Sequence, residues 1–196
     1  MFLDEYKKWL DSDMLSASEK EELKNIANDE KEIESRFYTD LSFGTAGMRG
    51  IRGIGRNRMN KYNIRKATQG LANYIINETG EVGKKKGVAI AYDSRLDSVE
   101  NAINTAMTLA GNGIKVYLFD GVRSTPELSF AVRELKAQAG IMITASHNPK
   151  EYNGYKVYWE DGAQIVDPQA TGIVSSVAAV DIFTGIKIME EKEAID

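Results

Sequence analysis

Along the first forty residues apolar side chains recur at helical intervals with polar ones between them. Leu3, Tyr6 and Leu10 predict a helix from Phe2 to about Leu10, and Leu23, Ile26, Ile33 and Phe37 predict a second from Ser18 to about Arg36. Ser16 or Ser18 can cap the second helix, with Glu19, Glu21 and Glu22 favourably placed near its positive end. A third and longer pattern, Ile64, Ala67, Leu71, Tyr74 and Ile75, starts at Asn60 or Asn63 and reaches about Asn77, where Thr79-Gly80 stops it.

From Val88 the pattern changes to short apolar runs separated by helical stretches. Val88 to Tyr92 reads as a strand, Asp97 or Ser98 caps a helix to about Ala110, and Lys115 to Phe119 reads as the next strand, making a βαβ unit. Pro126 then opens a helix capped by Ser124 or Thr125 and running to Leu135, before the buried strand Ile141-Met142-Ile143. Tyr155 to Trp159 forms a further strand, entered through a turn at Asn153-Gly154. Glu160-Asp161-Gly162 turns the chain, Pro168 begins a weak helical pattern through Val180, and the acidic tail from Lys187 adds no closing strand. The pattern implies a layered α/β/α domain with a mixed, mostly parallel sheet over residues 41–196, preceded by a helical extension over residues 1–40.

Composition narrows the function classes. No apolar run approaches the roughly 18–20 residues a bilayer span needs, and the amino terminus, MFLDEYKKWLDSD, lacks the basic start and apolar core of a secretory signal. The chain has no cysteine, which removes disulfides and thiolate chemistry, and the expected location is the cytoplasm. A net charge of −4 gives no field for nucleic acid, so neither a nucleic acid nor a membrane is an expected partner. Against that average, Arg49, Arg52, Arg56, Arg58 and Lys61 fall within one acid-free stretch, which reads as a local patch for phosphate recognition.

The candidate chemistry centres on Gly140 to Lys156, GIMITASHNPKEYNGYK. There a buried strand gives way to a small, polar loop, and Ser146 falls at the strand's carboxyl end, where open α/β sheets place ligands. A serine oxygen carries phosphate only where backbone N–H groups, basic side chains or a divalent metal hold the negative charge. His147, the only histidine, reads either as a partner of phosphate or sugar or as a packed residue. Lys156 is the general acid/base candidate if local positive charge lowers its pKa. Asn148 and Asn153 are candidates for ligand contact or for shaping the loop, and Asp93 is either a cap and ion-pair partner of Arg95 or a ligand-facing carboxylate. A Ser-His hydrolase is disfavoured: the residues are adjacent, no G-x-S-x-G elbow occurs, and no second histidine can act as base. Gly53-Ile54-Gly55 is half of a dinucleotide fingerprint without its strand–helix context, and is set aside.

Three strings carry a family resemblance. TASHNP, followed by YNGYK, resembles the active-site segment of the α-D-phosphohexomutase superfamily (phosphoglucomutase/phosphomannomutase), and Phe43 to Gly50, FGTAGMRG, is similar to that family's FGTAGxRG. The resemblance implies that Ser146 is phosphorylated and exchanges its phosphoryl group with hexose phosphates through a hexose 1,6-bisphosphate. It implies that Arg49 reaches the active centre, that Lys156 is the acid/base, and that Thr45 and Arg95 lie near the phosphate. It also implies Mg²⁺, held by the serine phosphate and a D-x-D-x-D loop; no such triplet occurs here, so Ser146 is the one metal ligand expected from this sequence. The family's G-E-x-S-G sugar loop is absent as well. The resemblance therefore extends to the first of four family domains, and implies an N-terminal part that needs the remaining domains for turnover. A helical extension is typical of the longer phosphoglucomutase-like members. A phosphopentomutase of the same superfamily and a non-catalytic sugar-phosphate-binding module are the alternative readings.

Overall fold

The computed structural model describes residues 1–44 and 47–195. Thr45, named above as a phosphate-binding candidate, lies outside them. Three helices come first: α1 (Phe2–Asp11), α2 (Ala17–Asn25) and α3 (Glu30–Phe37). The single helix expected from Ser18 to Arg36 is therefore two. Asp29 breaks it by capping α3, its Oδ1 accepting the Glu32 N–H at 3.0 Å; a short acidic side chain at that point satisfies an orphan N–H better than it continues a helix. Ser16 caps α2 in a reciprocal box with Glu19.

Strands β1 (Phe43–Gly44) and β2 (Gly47–Ile51) follow, then α4 (Lys61–Lys86), β3 (Val88–Tyr92), α5 (Ser98–Gly111), β4 (Val116–Leu118), α6 (Thr125–Glu134), β5 (Ala139–Ile143), β6 (Tyr152–Trp159), α7 (Gln169–Ala178) and α8 (Glu191–Ile195). Asn60 caps α4 by accepting from the Tyr62 and Asn63 amides. The stop expected at Thr79-Gly80 is only a kink: Gly80 takes φ 57°, ψ −140°, and the helix resumes through Lys86.

The sheet is mixed, in the order β1-β2-β6-β5-β3-β4. Parallel pairing is confined to β5-β3-β4, the part built from crossover helices, whereas β6 pairs antiparallel with both β5 and β2. Alternate strand residues face opposite ways. Val88, Ile90, Ile141, Ile143, Tyr155 and Val157 meet α4, α5 and α7 in the main core, and Ala89, Ala91, Met142 and Tyr158 meet Leu128 and Val132 of α6 on the other face. This is a three-layer α/β/α arrangement. The register also corrects the expected turn at Asn153-Gly154. Both residues lie inside β6, and the glycine is there for close approach: a Cβ on Gly154 would stand 2.6 Å from the carbonyl oxygen of Thr144, the residue that follows β5.

A second, smaller core forms where α1, α2 and α3 pack against Ile54, Tyr62 and Phe183. Trp9, almost fully buried, meets Phe37, Tyr62 and Phe183 edge-on with ring centroids 5.9, 5.5 and 5.1 Å apart. Here the basic stretch finds its partners. Arg52 pairs with Asp97 at 2.5 Å, Arg56 with Asp40 at 2.6 Å, Arg58 with Glu32 at 3.1 Å and Lys61 with Glu19 at 2.8 Å. The expected phosphate patch is thus neutralised by carboxylates distant in sequence, three of them on or just after the helical extension. Arg49 alone of the five makes no ion pair among the described residues. No helix of the described residues is long and apolar enough to cross a membrane.

Candidate active site

β5 ends at Ile143, and the next residues, Thr144 and Ala145, stay buried while Ser146 and His147 emerge as exposed side chains. Thr144 N–H still donates to the Gly154 carbonyl at 3.1 Å, so the sheet holds the loop's first residue. Ser146 then takes φ 56°, a left-handed conformation that a non-glycine residue adopts at a cost of roughly 1–2 kcal/mol. Its amide donates to Thr144 Oγ1 at 3.0 Å, and the Asn148 amide donates to the Ala145 carbonyl at 3.0 Å. The side-chain oxygen therefore stands out from the end of a buried strand, on a turn stiffened by its own backbone.

Arg95 holds that turn from behind. Its Nη2 donates to the carbonyls of Ser146 at 2.8 Å and Asn148 at 2.7 Å, and its Nη1 to those of Pro149 at 2.9 Å and Tyr152 at 3.2 Å. Its Nε lies 3.3 Å from Asp93 Oδ2. Asp93 Oδ1 in turn accepts from Ser98 Oγ at 2.7 Å and from the Arg95 amide at 3.0 Å. Of the readings of Asp93, the ion pair with Arg95 is the one observed; the N-cap position of α5 belongs to Asp97. Asn153 belongs to the same scaffold. It is fully buried, with Nδ2 donating to the Leu96 carbonyl and to Ser98 Oγ, both at 3.0 Å, so as a ligand contact it is corrected. Arg95, expected near the phosphate, spends its donors on the loop's own carbonyls.

Two further cations come from the sheet. Arg49 on β2 lies opposite Gly154 of β6, and Lys156 lies opposite Gly47, so the two side chains share one face of adjacent strands. It is the α6 face, for Lys156 also lies opposite Met142, which packs under α6. α6 packs chiefly on β3 and β5, and Arg49 remains exposed. Arg49 Nη1 donates to Asn148 Oδ1 at 2.9 Å, tying the cation to the serine loop. Burial, and then the charge of Arg49, holds the Lys156 ammonium below the ordinary lysine pKa. That is the direction a general acid/base needs.

His147 Nδ1 lies 3.4 Å from Ser146 Oγ, a long contact between exposed neighbours. No carboxylate orients the imidazole among the described residues, so a hydrolytic triad is not assembled. Nor does any group of three or more His, Asp or Glu side chains converge among them to hold a metal. Ser146 offers one oxygen, and an octahedral Mg²⁺ needs several; the donors present do not by themselves fit the ion. Two concavities of about 420 and 530 Å³ run along α5, lined in part by Arg52 and Asp97 and by Arg65 and Arg95, and neither is lined by Ser146, Arg49 or Lys156. The Thr144 hydroxyl, which steadies the Ser146 amide, was not singled out from the sequence, although a hydroxyl two residues from a candidate nucleophile is a local signal for such a bond.

The family description "Phosphoglucomutase/phosphomannomutase, alpha/beta/alpha domain I" matches residues 40–182. A phosphoglucomutase of Staphylococcus epidermidis is 48% identical over 157 residues, covering 80% of this chain and 28% of that protein. One from Staphylococcus aureus is 50% identical over 145 residues, covering 73% and 26%. Among solved structures, a protein of Thermus thermophilus described as a phosphomannomutase superposes with a TM-score of 0.63 at 34% identity, covering 71% of this chain and 30% of that one. A phosphoglucomutase/phosphomannomutase family protein from Burkholderia thailandensis gives 0.57 at 26% identity, covering 69% and 29%. The chain thus spans under a third of the length of these relatives.

Proposed function

Since the chain belongs to the phosphoglucomutase/phosphomannomutase family and corresponds to its domain I, we propose that Ser146 is the phosphoryl carrier of a hexose-phosphate mutase. The observation that carries this reading is the pairing of an exposed serine, held in a left-handed turn at a strand end, with Arg49 bonded to the same turn through Asn148. Residues 41–196 form the serine-bearing domain and residues 1–40 an extension to it.

On this reading phosphorylated Ser146 donates its phosphoryl group to the free C1 or C6 hydroxyl of a hexose phosphate. The Oγ–P bond breaks with its electron pair left on Ser146 Oγ, a sugar O–P bond forms, and the proton of the attacking hydroxyl passes to Lys156 in its neutral form; the Oγ alkoxide, beside the Lys156 and Arg49 cations, is the nucleophile of the return step. A hexose 1,6-bisphosphate results. It reorients, its other phosphoryl group returns to Ser146, and Lys156 returns a proton to the departing sugar oxygen. Arg49 steadies the charge of the moving phosphoryl group, as a guanidinium suits its oxygens. His147 is a candidate hydrogen-bond partner of the phosphoserine or sugar. Mg²⁺ would take Ser146 as one ligand and its others from outside this chain. The 196-residue chain alone is accordingly expected not to turn over.

Mass spectrometry of the protein extended by its remaining domains, after incubation with glucose 1,6-bisphosphate, tests the carrier. Phosphate on Ser146, lost in Ser146→Ala, is the expected result; phosphate elsewhere, or full turnover by the alanine variant, refutes it. Comparing glucose, mannose and ribose 1-phosphates as substrates of the protein extended by its remaining domains separates a hexose from a pentose mutase.

A further inference from the structure

Arg95 has the bonding of a clamp rather than of a ligand contact. One guanidinium takes four carbonyls of the loop and the first residue of β6, those of Ser146, Asn148, Pro149 and Tyr152, between 2.7 and 3.2 Å. Its remaining edge is fixed by Asp93 at 3.3 Å. Asp93 is itself held through Ser98, which receives Asn153 from inside β6. The chain of bonds thus joins the end of β3, the start of α5, the first residues of β6 and the serine turn.

We propose that Arg95 is a positioning residue for Ser146: it holds the left-handed turn by gathering the turn's carbonyls, and does not itself touch phosphate. The physical need is plain. Ser146 sits at φ 56°, and six residues later the chain must re-enter the sheet as β6. Carbonyls that converge in so short a loop repel one another and lack ladder partners. A planar cation with several fixed donors satisfies them together, which a lysine's point charge cannot do in the same geometry. The remote effect is on where Oγ points. A nucleophile misplaced by about an ångström loses on the order of a hundredfold in rate, so the clamp acts on the rate of phosphoryl transfer and not on affinity for the sugar.

The proposal rests on Ser146 being the carrier, and the experiment separates the two. Wild type, Arg95→Lys and Arg95→Ala are compared in hydrogen exchange at the Asn148 and Tyr152 amides, which donate to Ala145 and Pro149 within the loop. The same variants, in the protein extended by its remaining domains, are followed for the rate and half-saturating concentration of Ser146 phosphorylation by glucose 1,6-bisphosphate. Arg95→Ala is expected to speed exchange at both amides by at least about tenfold, with amides in β3 and α4 unchanged. It should slow phosphorylation at saturation by about tenfold or more, leaving half-saturation within about twofold. Arg95→Lys should restore part of the rate. Loop amides exchanging as in wild type overturn the proposal. So does a raised half-saturation with an unchanged saturated rate, which would make Arg95 a ligand contact. If wild type takes no phosphate while Arg95→Ala frees the loop, the carrier reading fails and the clamp stands.

Discussion

Arg49 and Lys156 stand on one face of two adjacent antiparallel strands, and each is paired across the ladder with a glycine rather than with the other. The diagonal offset keeps both cations over the same patch without direct opposition.

Their coupling predicts a titration. Burial and then Arg49 depress the Lys156 pKa. Between that lowered value and the ordinary lysine value the unfolded chain binds more protons than the folded one, so the group costs stability below this window and the cost disappears as pH rises through it. Arg49→Gln should raise the Lys156 pKa part of the way, since burial persists. An NMR titration of the Lys156 side chain reads this directly; an unmoved pKa would mean that Arg49's charge does not reach the ammonium.

Ser146→Gly should separate stability from function. Glycine relieves the left-handed strain at φ 56° but adds unfolded-state entropy, so unfolding free energy should change by less than about 1 kcal/mol. Phosphate uptake should vanish. Chemical denaturation and mass spectrometry check the two halves.

Gly154→Ala should be costly for packing alone. The added Cβ would meet the Thr144 carbonyl oxygen at 2.6 Å and the Met48 carbonyl oxygen at 3.1 Å, both backbone atoms, one just past β5 and one in β2. A loss of about 2–4 kcal/mol is expected by urea unfolding. A near-neutral variant would show that the three strands can part without penalty.

The helical extension should be the acid-labile part. Burial of Glu19, Glu32 and Asp40 works against ionisation, yet bonds from Lys61, Arg36, Arg58, Arg56 and Lys66 outweigh it and hold all three carboxyls below their ordinary pKa values. Carboxylates depressed on folding stabilise above their unfolded pKa and lose that contribution as pH falls through the folded one. In a Trp159→Phe background, Trp9 emission should therefore shift to the red below about pH 4, before the sheet's circular dichroism is lost. Trp9→Ala, which empties the middle of the aromatic cluster, should cost about 3–5 kcal/mol at neutral pH.

Much of this could be read before any coordinates. The strands β3 and β5, α1, the start of α5 and the exposed serine after β5 follow from periodicity and turn chemistry, because those signals lie within a few residues of one another. The reading failed where a partner was remote. Asn153-Gly154 has the composition of a turn, yet β2 pairs with both residues and the Thr144 amide bonds the Gly154 carbonyl from the other side, which recruits them into a strand. Asp29 split one amphipathic pattern into two helices because a single side-chain bond outweighed the periodicity.

The local order of residues determined, by itself, that a serine would surface at the end of a buried apolar run, with a lysine on the strand that follows. Which cations would remain free beside it was decided only in three dimensions. Arg52, Arg56, Arg58 and Lys61 looked like a phosphate patch until chain segments tens of residues away brought carboxylates against them. Arg95 turned inward to the loop's carbonyls for the same reason. Charge in a sequence is additive, but in a fold it is spent on whichever opposite partner the packing brings within about 4 Å.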